Sequence, residues 1–261
     1  MLSATRQILG LTQARDVPEL WDRFIQAVGQ FGFVQVSYGF SRSRHEISLP
    51  LSEDDFFLTN LPIEGISRDK APSLLVRTPM YRWVIENVGA CSWSWADEQL
   101  ACGALTEAEV QAHEAARRAG LSAGYVVSVT DEAACSRGGF SLAAAPGVAQ
   151  TEVDARWAEV GDHVHALCNV MHLKMRSFPT PSLGRPLSPR QLEALQWVAE
   201  GKTTQDIATI MGVSPAMVEK HLRLAREALD VETTAHAVAK AALHNHLFPG
   251  RVPSGQRLLR D

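Results

Sequence analysis

The sequence predicts a mixed α/β chain in two parts: an α/β/α sandwich with an antiparallel sheet, then a small all-α domain of four helices. Three observations carry this. Helical and strand patterns alternate over residues 1–176, residues 177–185 form a proline-rich break, and residues 186–248 divide into four short, separately capped helices. A polar tail follows at 249–261.

Asp16 is placed to cap a helix with Pro18 in its first turn, and Val17, Leu20, Trp21, Phe24, Ile25, Val28 and Phe31 share one helical face. The β-branched and aromatic run Phe33-Val34-Gln35-Val36-Ser37-Tyr38-Gly39-Phe40 predicts a strand. Thr106 with Glu109 three residues later forms a capping box, opening a helix toward Gly120. Two more strands are expected at 124–130 and 139–144. A long helix then starts near Thr151, with Trp157, Val160, Val164, Leu167, Val170 and Met171 as its apolar stripe.

In the stretch from Ser177 to Pro186, prolines at 179, 181 and 186 with Gly184 cannot continue a helix, so a semi-rigid linker is expected there. Beyond it, Ser188 caps the first short helix with Pro189 at its first position, Gln191 at its third and Gly201 as its stop. The second opens at Thr203 or Thr204 and stops at Gly212. Only Gly212-Val213 separates it from a third, capped by Ser214 before Pro215, and a fourth opens near Thr233. A short helix, a tight turn and a second helix is the helix-turn-helix arrangement.

The 261 residues are 46% apolar and 21% charged, which excludes disordered, collagen-like and coiled-coil chains. No run has the apolar length of a spanning helix, and the N-terminal residues lack a secretory pattern. The four cysteines, at 91, 102, 135 and 168, show no close pairing. A soluble cytoplasmic protein without membrane contact is expected. The net charge of -4 hides an asymmetry: residues 1–183 balance to -6 and residues 184–261 to +2. Two modules with different partners would produce that split.

On the third short helix, Val218, Leu222, Ala225 and Leu229 fall on one side at about 100° per residue, while Ala216, Glu219, Lys220, Arg223 and Glu227 point away. That outer face supplies long donors for base edges and small residues that admit a helix into the major groove of double-stranded DNA. Lys220 and Arg223 are the expected base contacts, with Lys202, Thr203, Ser214 and Arg226 for phosphates. Glu219 lies on the same face, where an acidic side chain narrows base readout.

The ordered run Pro186-Leu187-Ser188-Pro189-Arg190, Leu195 to Thr203, Ile207-Ala208, Gly212-Val213-Ser214-Pro215 and Val218-Glu219-Lys220-His221-Leu222 resembles the DNA-binding domain of LuxR-type transcription regulators. Gln191 stands where the family usually has glutamate, and Met217 where threonine is common. The Trp197-to-Thr203 version, behind a first domain of this length, is similar to the quorum-sensing branch. The resemblance implies a sensor that binds acyl-homoserine lactones and dimerises, a homodimer on an inverted-repeat promoter site, and RNA polymerase as a partner if the chain activates.

The family's lactone contacts are a Trp, a Tyr and an Asp-Pro at set spacing. Counted from Leu61-Pro62, this chain has Gly65, Asp69 and Thr78-Pro79 there. Trp93 matches a second family tryptophan and Ser141 a polar strand position near the acyl carbonyl. Tyr38, Thr78, Trp93 and Ser141 are therefore the candidate ligand residues, with core packing favoured over ligand contact for Trp93 and Trp95. The changed headgroup positions imply another small ligand or none. An anti-activator that heterodimerises with a related LuxR-type protein is the alternative function.

His165, Cys168 and His172 share one face of the long helix, but packing against a partner subunit is favoured there and no metal is expected. No phosphate loop, nucleophile elbow or HExxH motif is present, so no catalysis is predicted.

Overall fold

The computed structural model describes residues 4–41, 55–61, 75–131, 136–178 and 186–247. Most of the proline-rich linker, the tail and the positions Gly65, Asp69 and Cys135 lie outside the described residues. Two compact units make up the chain, Met1–Met175 and Arg176–Asp261.

In the first unit, α1 (Ala4–Thr12) precedes α2 (Val17–Gly29), whose N-terminus is capped by Asp16 accepting from the Glu19 N–H at 2.8 Å. Leu20, Phe24 and Val28 recur at i, i+4 and i+8 and are fully buried. Each such side chain contributes about 1.5–3 kcal/mol by leaving water. Strands β1 (Phe33–Ser41) and β2 (Asp55–Thr59) follow, then α3 (Pro79–Glu86), β3 (Gly89–Ser92), α4 (Ser94–Ala101) and α5 (Glu107–Arg118). Strands β4 (Gly124–Asp131) and β5 (Ser136–Ala144) lead into α6 (Gln150–Ser177). The five strands form one sheet in the order β2-β1-β5-β4-β3, antiparallel as the sequence predicted, with β2 and β3 added to the three strands read from pattern.

Period-two alternation gives the sheet two distinct faces. Tyr38, Phe140 and Tyr125 point toward α2 and α6: Phe140 meets Phe24 at 5.0 Å between ring centroids, and Tyr125 stacks on Trp157 at 3.9 Å. On the opposite face, cross-strand partners Ser37, Ser141 and Val126 form one row beneath α3. Gly139 lets α3 come close there, since a Cβ would lie 2.6 Å from Val84 Cγ1. The stripe of α6 is Val153, Gly161, Val164, Leu167, Cys168, Met171, His172 and Met175. Its spacings of three and four wrap one face onto the sheet, while Val160 and Val170 are only half-buried.

The second unit holds α7 (Pro189–Ala199), α8 (Thr204–Met211), α9 (Pro215–Ala228) and α10 (Thr234–Leu243). Ser188, Thr203, Ser214 and Thr233 are their N-caps. At α7 the capping box closes with Gln191, whose Oε1 accepts from the Ser188 N–H at 2.7 Å. Gly212 ends α8 with φ +65°, a left-handed turn that glycine adopts without a Cβ penalty. Ala194, Leu195, Ile207, Ala208, Met211, Val218, Leu222, Ala225, Leu229 and Ala237 converge in the core between the four helices. That is the predicted four-helix helix-turn-helix domain.

Candidate functional site

Two adjoining hollows lie on the α3 face of the sheet and share Leu75, Thr78, Met80 and Ser141 as walls. They hold about 510 Å³ and 460 Å³ of unoccupied space, in part open to solvent. The first is walled by Phe57, Met80, Val84 and Val126 and is mainly apolar. The second ends in polar groups: Asp97, His113, Arg117 and Ser122. A cleft with an apolar body and a few polar groups at one end suits a small amphiphilic molecule.

Thr78, Trp93 and Ser141 line this space. Thr78 Oγ1 donates to the Leu75 carbonyl at 2.7 Å and accepts from the Tyr81 N–H at 3.3 Å, so it caps α3 and its proton is spent. Trp93 is half-buried against the cluster of Ala116, Leu121 and Ala143, yet its Nε1 is shielded from solvent and has no hydrogen-bond partner among the described residues. Trp95 instead packs beneath the Arg82 guanidinium, 5.5 Å from the ring centroid. Tyr38 is not a wall of either hollow. It points to the other face, fully buried, with its hydroxyl hydrogen-bonded to His172 Nδ1 at 2.9 Å. Sequence reasoning passed over Ser37 and Gly39, the neighbours that do line the space. Period two from Ser141, the cross-strand partner of Ser37, was the signal that could have found them.

At the polar end, Asp97 Oδ1 accepts from Arg117 at 2.7 Å and lies 3.0 Å from His113 Nε2. Close by, Arg82 Nε donates to Glu109 Oε1 at 2.7 Å. Burial by itself pushes the Glu109 carboxyl up, but hydrogen bonds from the Thr106 N–H and hydroxyl and from Arg82 outweigh it and hold the group below its usual range. His165, Cys168 and His172 do not form a centre: Cys168 and His172 are buried, and His172 is bonded to Tyr38. Among the described residues, no three His, Cys, Asp or Glu are grouped to hold a metal ion.

In the second unit, α9 buries Val218, Leu222, Ala225 and Leu229 and exposes Ser214, Glu219, Lys220 and Arg223. Several of these are engaged within the domain. Arg223 pairs with Glu227 one turn on, and the half-buried Arg226 donates to Thr234 Oγ1 at 2.8 Å, tying α9 to α10. Thr203 donates to Asp206 Oδ2 at 2.7 Å inside its capping box. Thr204 donates to Glu219 Oε1 at 2.9 Å. Lys202 and Lys220 stay exposed. The hydroxyl of Ser214 accepts from the Met217 N–H and keeps its proton available at the start of α9.

Two family models match the chain: autoinducer binding domain over residues 16–175, and bacterial regulatory proteins, luxR family, over residues 185–241. The transcriptional activator protein BjaR1 of Bradyrhizobium diazoefficiens is 29% identical over 178 residues, 66% of this chain and 67% of that one. The quorum sensing-dependent transcriptional regulator RpaR of Rhodopseudomonas palustris is 41% identical over 69 residues, 26% of this chain and 28% of its own length. Escherichia coli SdiA superposes with TM-score 0.52 at 18% identity, covering 94% of this chain and 97% of that one, which establishes the fold. A second structure shows SdiA in complex with octanoyl-rac-glycerol, with the same TM-score and identity over 92% and 93% of the chains. With its autoinducer-binding fold followed by a helix-turn-helix domain, the chain belongs to the LuxR-type quorum-sensing family of transcription regulators, which are not enzymes.

Proposed function

We propose that the chain is a cytoplasmic, homodimeric transcription regulator that reads an inverted-repeat promoter site through α9 and responds to a small acyl ligand in its first domain. The carrying observation is the division of α9, with Val218, Leu222, Ala225 and Leu229 in the core and Lys220 and Arg223 on the exposed face. A recognition helix needs that division, because the core fixes its depth and the free face meets base edges. Lys220 and Arg223 are assigned to bases, and Lys202, Ser214 and the Thr203 backbone to phosphates. Arg226 acts by holding α10, and Glu219 by holding α8. The domains are assigned as sensor 1–176, linker 177–185, DNA-binding 186–248 and tail 249–261. No helix of the described residues is long and apolar enough to cross a membrane.

Thr78, Trp93 and Ser141 are assigned to the ligand, and Tyr38 to support of the sheet's other face. The fold of SdiA accepts an octanoyl glycerol, and a hollow with an apolar body and a polar end suits an acyl chain in the same way. No cofactor or metal is assigned. Footprinting of the purified chain on its own promoter, with mass spectrometry of any small molecule released on denaturation, tests both halves. Protection of two half-sites about one helical turn or a multiple apart supports the dimeric regulator. Failure on DNA with tight capture of a related LuxR-type protein instead supports the anti-activator, which Gly65, Asp69 and Thr78 at the headgroup positions favour.

A further inference from the structure

We propose that Glu219 reads a cytosine in each half-site, through the carboxylate oxygen that its bond to Thr204 leaves open. This rests on the reading that α9 is the recognition helix of a DNA-binding regulator, and it adds a base contact to the tie between Glu219 and α8.

Glu219 stands in the surface offered to the groove. Ala216, Glu219 and Arg223 fall at i, i+3 and i+7, one row along the exposed side of α9, with Lys220 beside it. Ala216 is small enough to let the start of that row lie close to the base edges. A carboxylate on this face has a cation within one turn, yet the two do not pair. Arg223 is bonded to Glu227 instead, and among the described residues Glu219 makes no ion pair. It is held by a neutral group, the Thr204 hydroxyl, which donates to Oε1 at 2.9 Å. Oε2 is left as an acceptor whose direction is set before DNA arrives, and orienting a side chain beforehand lowers the entropy a contact must overcome.

The edges of the bases select among partners for that acceptor. Guanine presents N7 and O6 in the major groove, and thymine presents O4 beside its methyl group, so both repel a carboxylate. Adenine N6 donates, but its own N7 and the O4 of the paired thymine flank it with acceptors. Cytosine N4 donates with C5–H on one side and only the guanine O6 on the other. Cytosine is therefore the base that meets Oε2 with least repulsion. Arg223 lies four residues further, about 6 Å along the helix axis, so a guanine it reads belongs to a different base pair, about one to two steps away.

The test is selection of binding sites from random duplex DNA by the full-length chain, run in parallel for wild type, Glu219→Ala and Glu219→Gln, with thermal melting to show that each is folded. Wild type is expected to enrich a half-site with cytosine at one position. Glu219→Ala should lose the preference there and keep the others, and Glu219→Gln should raise adenine, whose N6 and N7 a carboxamide matches. A purely structural role for Glu219 would weaken binding to all sequences and leave the base profile unmoved. A second probe needs no variant: the same duplex with that cytosine replaced by 2-pyrimidinone, which still pairs with guanine but lacks the N4 amino group. Wild-type affinity is expected to fall by at least about threefold, the loss of one charge-assisted hydrogen bond. The same profile in wild type and Glu219→Ala overturns the proposal alone, and so does equal affinity of wild type for the two duplexes. A wild-type selection that enriches no site overturns the regulator reading itself, and the proposal with it.

Discussion

Thr204 in the first turn of α8 donates its hydroxyl to Glu219 Oε1 on α9 at 2.9 Å, joining the two helices of the helix-turn-helix at their exposed side. The carboxylate that looked like an obstacle in the groove is thereby held as a strut. One exposed bond of this kind contributes under about 1 kcal/mol to stability. Glu219→Ala should therefore leave the melting temperature within a few degrees of wild type. It should also raise affinity for non-specific DNA several-fold, because a negative charge leaves the surface facing the phosphates. Competition titrations with operator and random duplex measure the ratio, and weaker non-specific binding by the variant would refute the charge argument and show that the tie to Thr204 dominates.

Lys220 and Arg223 are expected to differ in kind. Arg223 must leave Glu227 to reach a base, and a bidentate contact is worth about 1–3 kcal/mol of discrimination. Arg223→Ala should lower operator affinity by more than about 1 kcal/mol and relax preference at one base pair. Lys220→Ala, if Lys220 meets a base, should act the same way. If it meets phosphate, binding should weaken evenly across sequences and the log–log salt slope should fall by about one. Gel-shift titrations across salt concentration separate the two.

Acid should loosen the first domain through Glu109. Its carboxyl is held below the usual range in the folded state by Thr106 and Arg82, against the opposing effect of burial. A depressed folded value contributes stability above the unfolded pKa and loses it as pH falls through the folded one. Glu109→Gln should therefore destabilise the domain at neutral pH and flatten the fall in stability below about pH 4.5. Urea melts at pH 7 and pH 4 provide the comparison. An unchanged acid limb would place the sensitivity elsewhere.

The second domain was legible because its signals are local. Ser188, Thr203, Ser214 and Thr233 each cap the helix that begins beside them, and the stripe from Val218 to Leu229 needs only the helical period. The ties Thr204–Glu219 and Arg226–Thr234 were not legible, since they join different helices. In the first domain, β1, β4, β5, α2, α5 and α6 were read from pattern, with ends moved by one to three residues. Strand β3, Gly-Ala-Cys-Ser, has no β-branched residue and exists by pairing with β4. The sequence reading assigns Tyr38 to the ligand, whereas it is its neighbours Ser37 and Gly39 that face the hollow. A one-residue difference in a strand reverses the face.

Tyr38→Phe separates the two faces. Loss of the buried hydrogen bond to His172 should cost about 1 kcal/mol, with the ring's packing on Phe140 retained. Ligand affinity should stay within twofold, because Tyr38 is not a wall of the hollow. A tenfold loss of affinity without loss of stability would return Tyr38 to the ligand site.

Gly124 is where the sheet, α6 and the Trp93 wall meet, and it has no room for a side chain. Its N–H donates to Gln150 Oε1 at 2.8 Å and its carbonyl accepts from Gln150 Nε2 at 3.1 Å and from the Trp93 N–H at 3.1 Å. A Cβ would lie 2.2 Å from the Leu142 carbonyl oxygen and 3.0 Å from the Trp93 ring. The closer clash is with the β5 backbone and a moving indole does not relieve it, so the β4–β5 pairing at Gly124 must shift and carry the Trp93 wall with it. Gly124→Ala should then destabilise the first domain by about 1–3 kcal/mol through overpacking. It should also change the near-ultraviolet tryptophan circular dichroism and weaken ligand binding. DNA affinity of the isolated 186–248 segment, which lacks the substitution, sets the reference for the second domain. If Gly124→Ala matches wild type in stability and spectrum, the close approach of Trp93 to Gly124 does not constrain the wall.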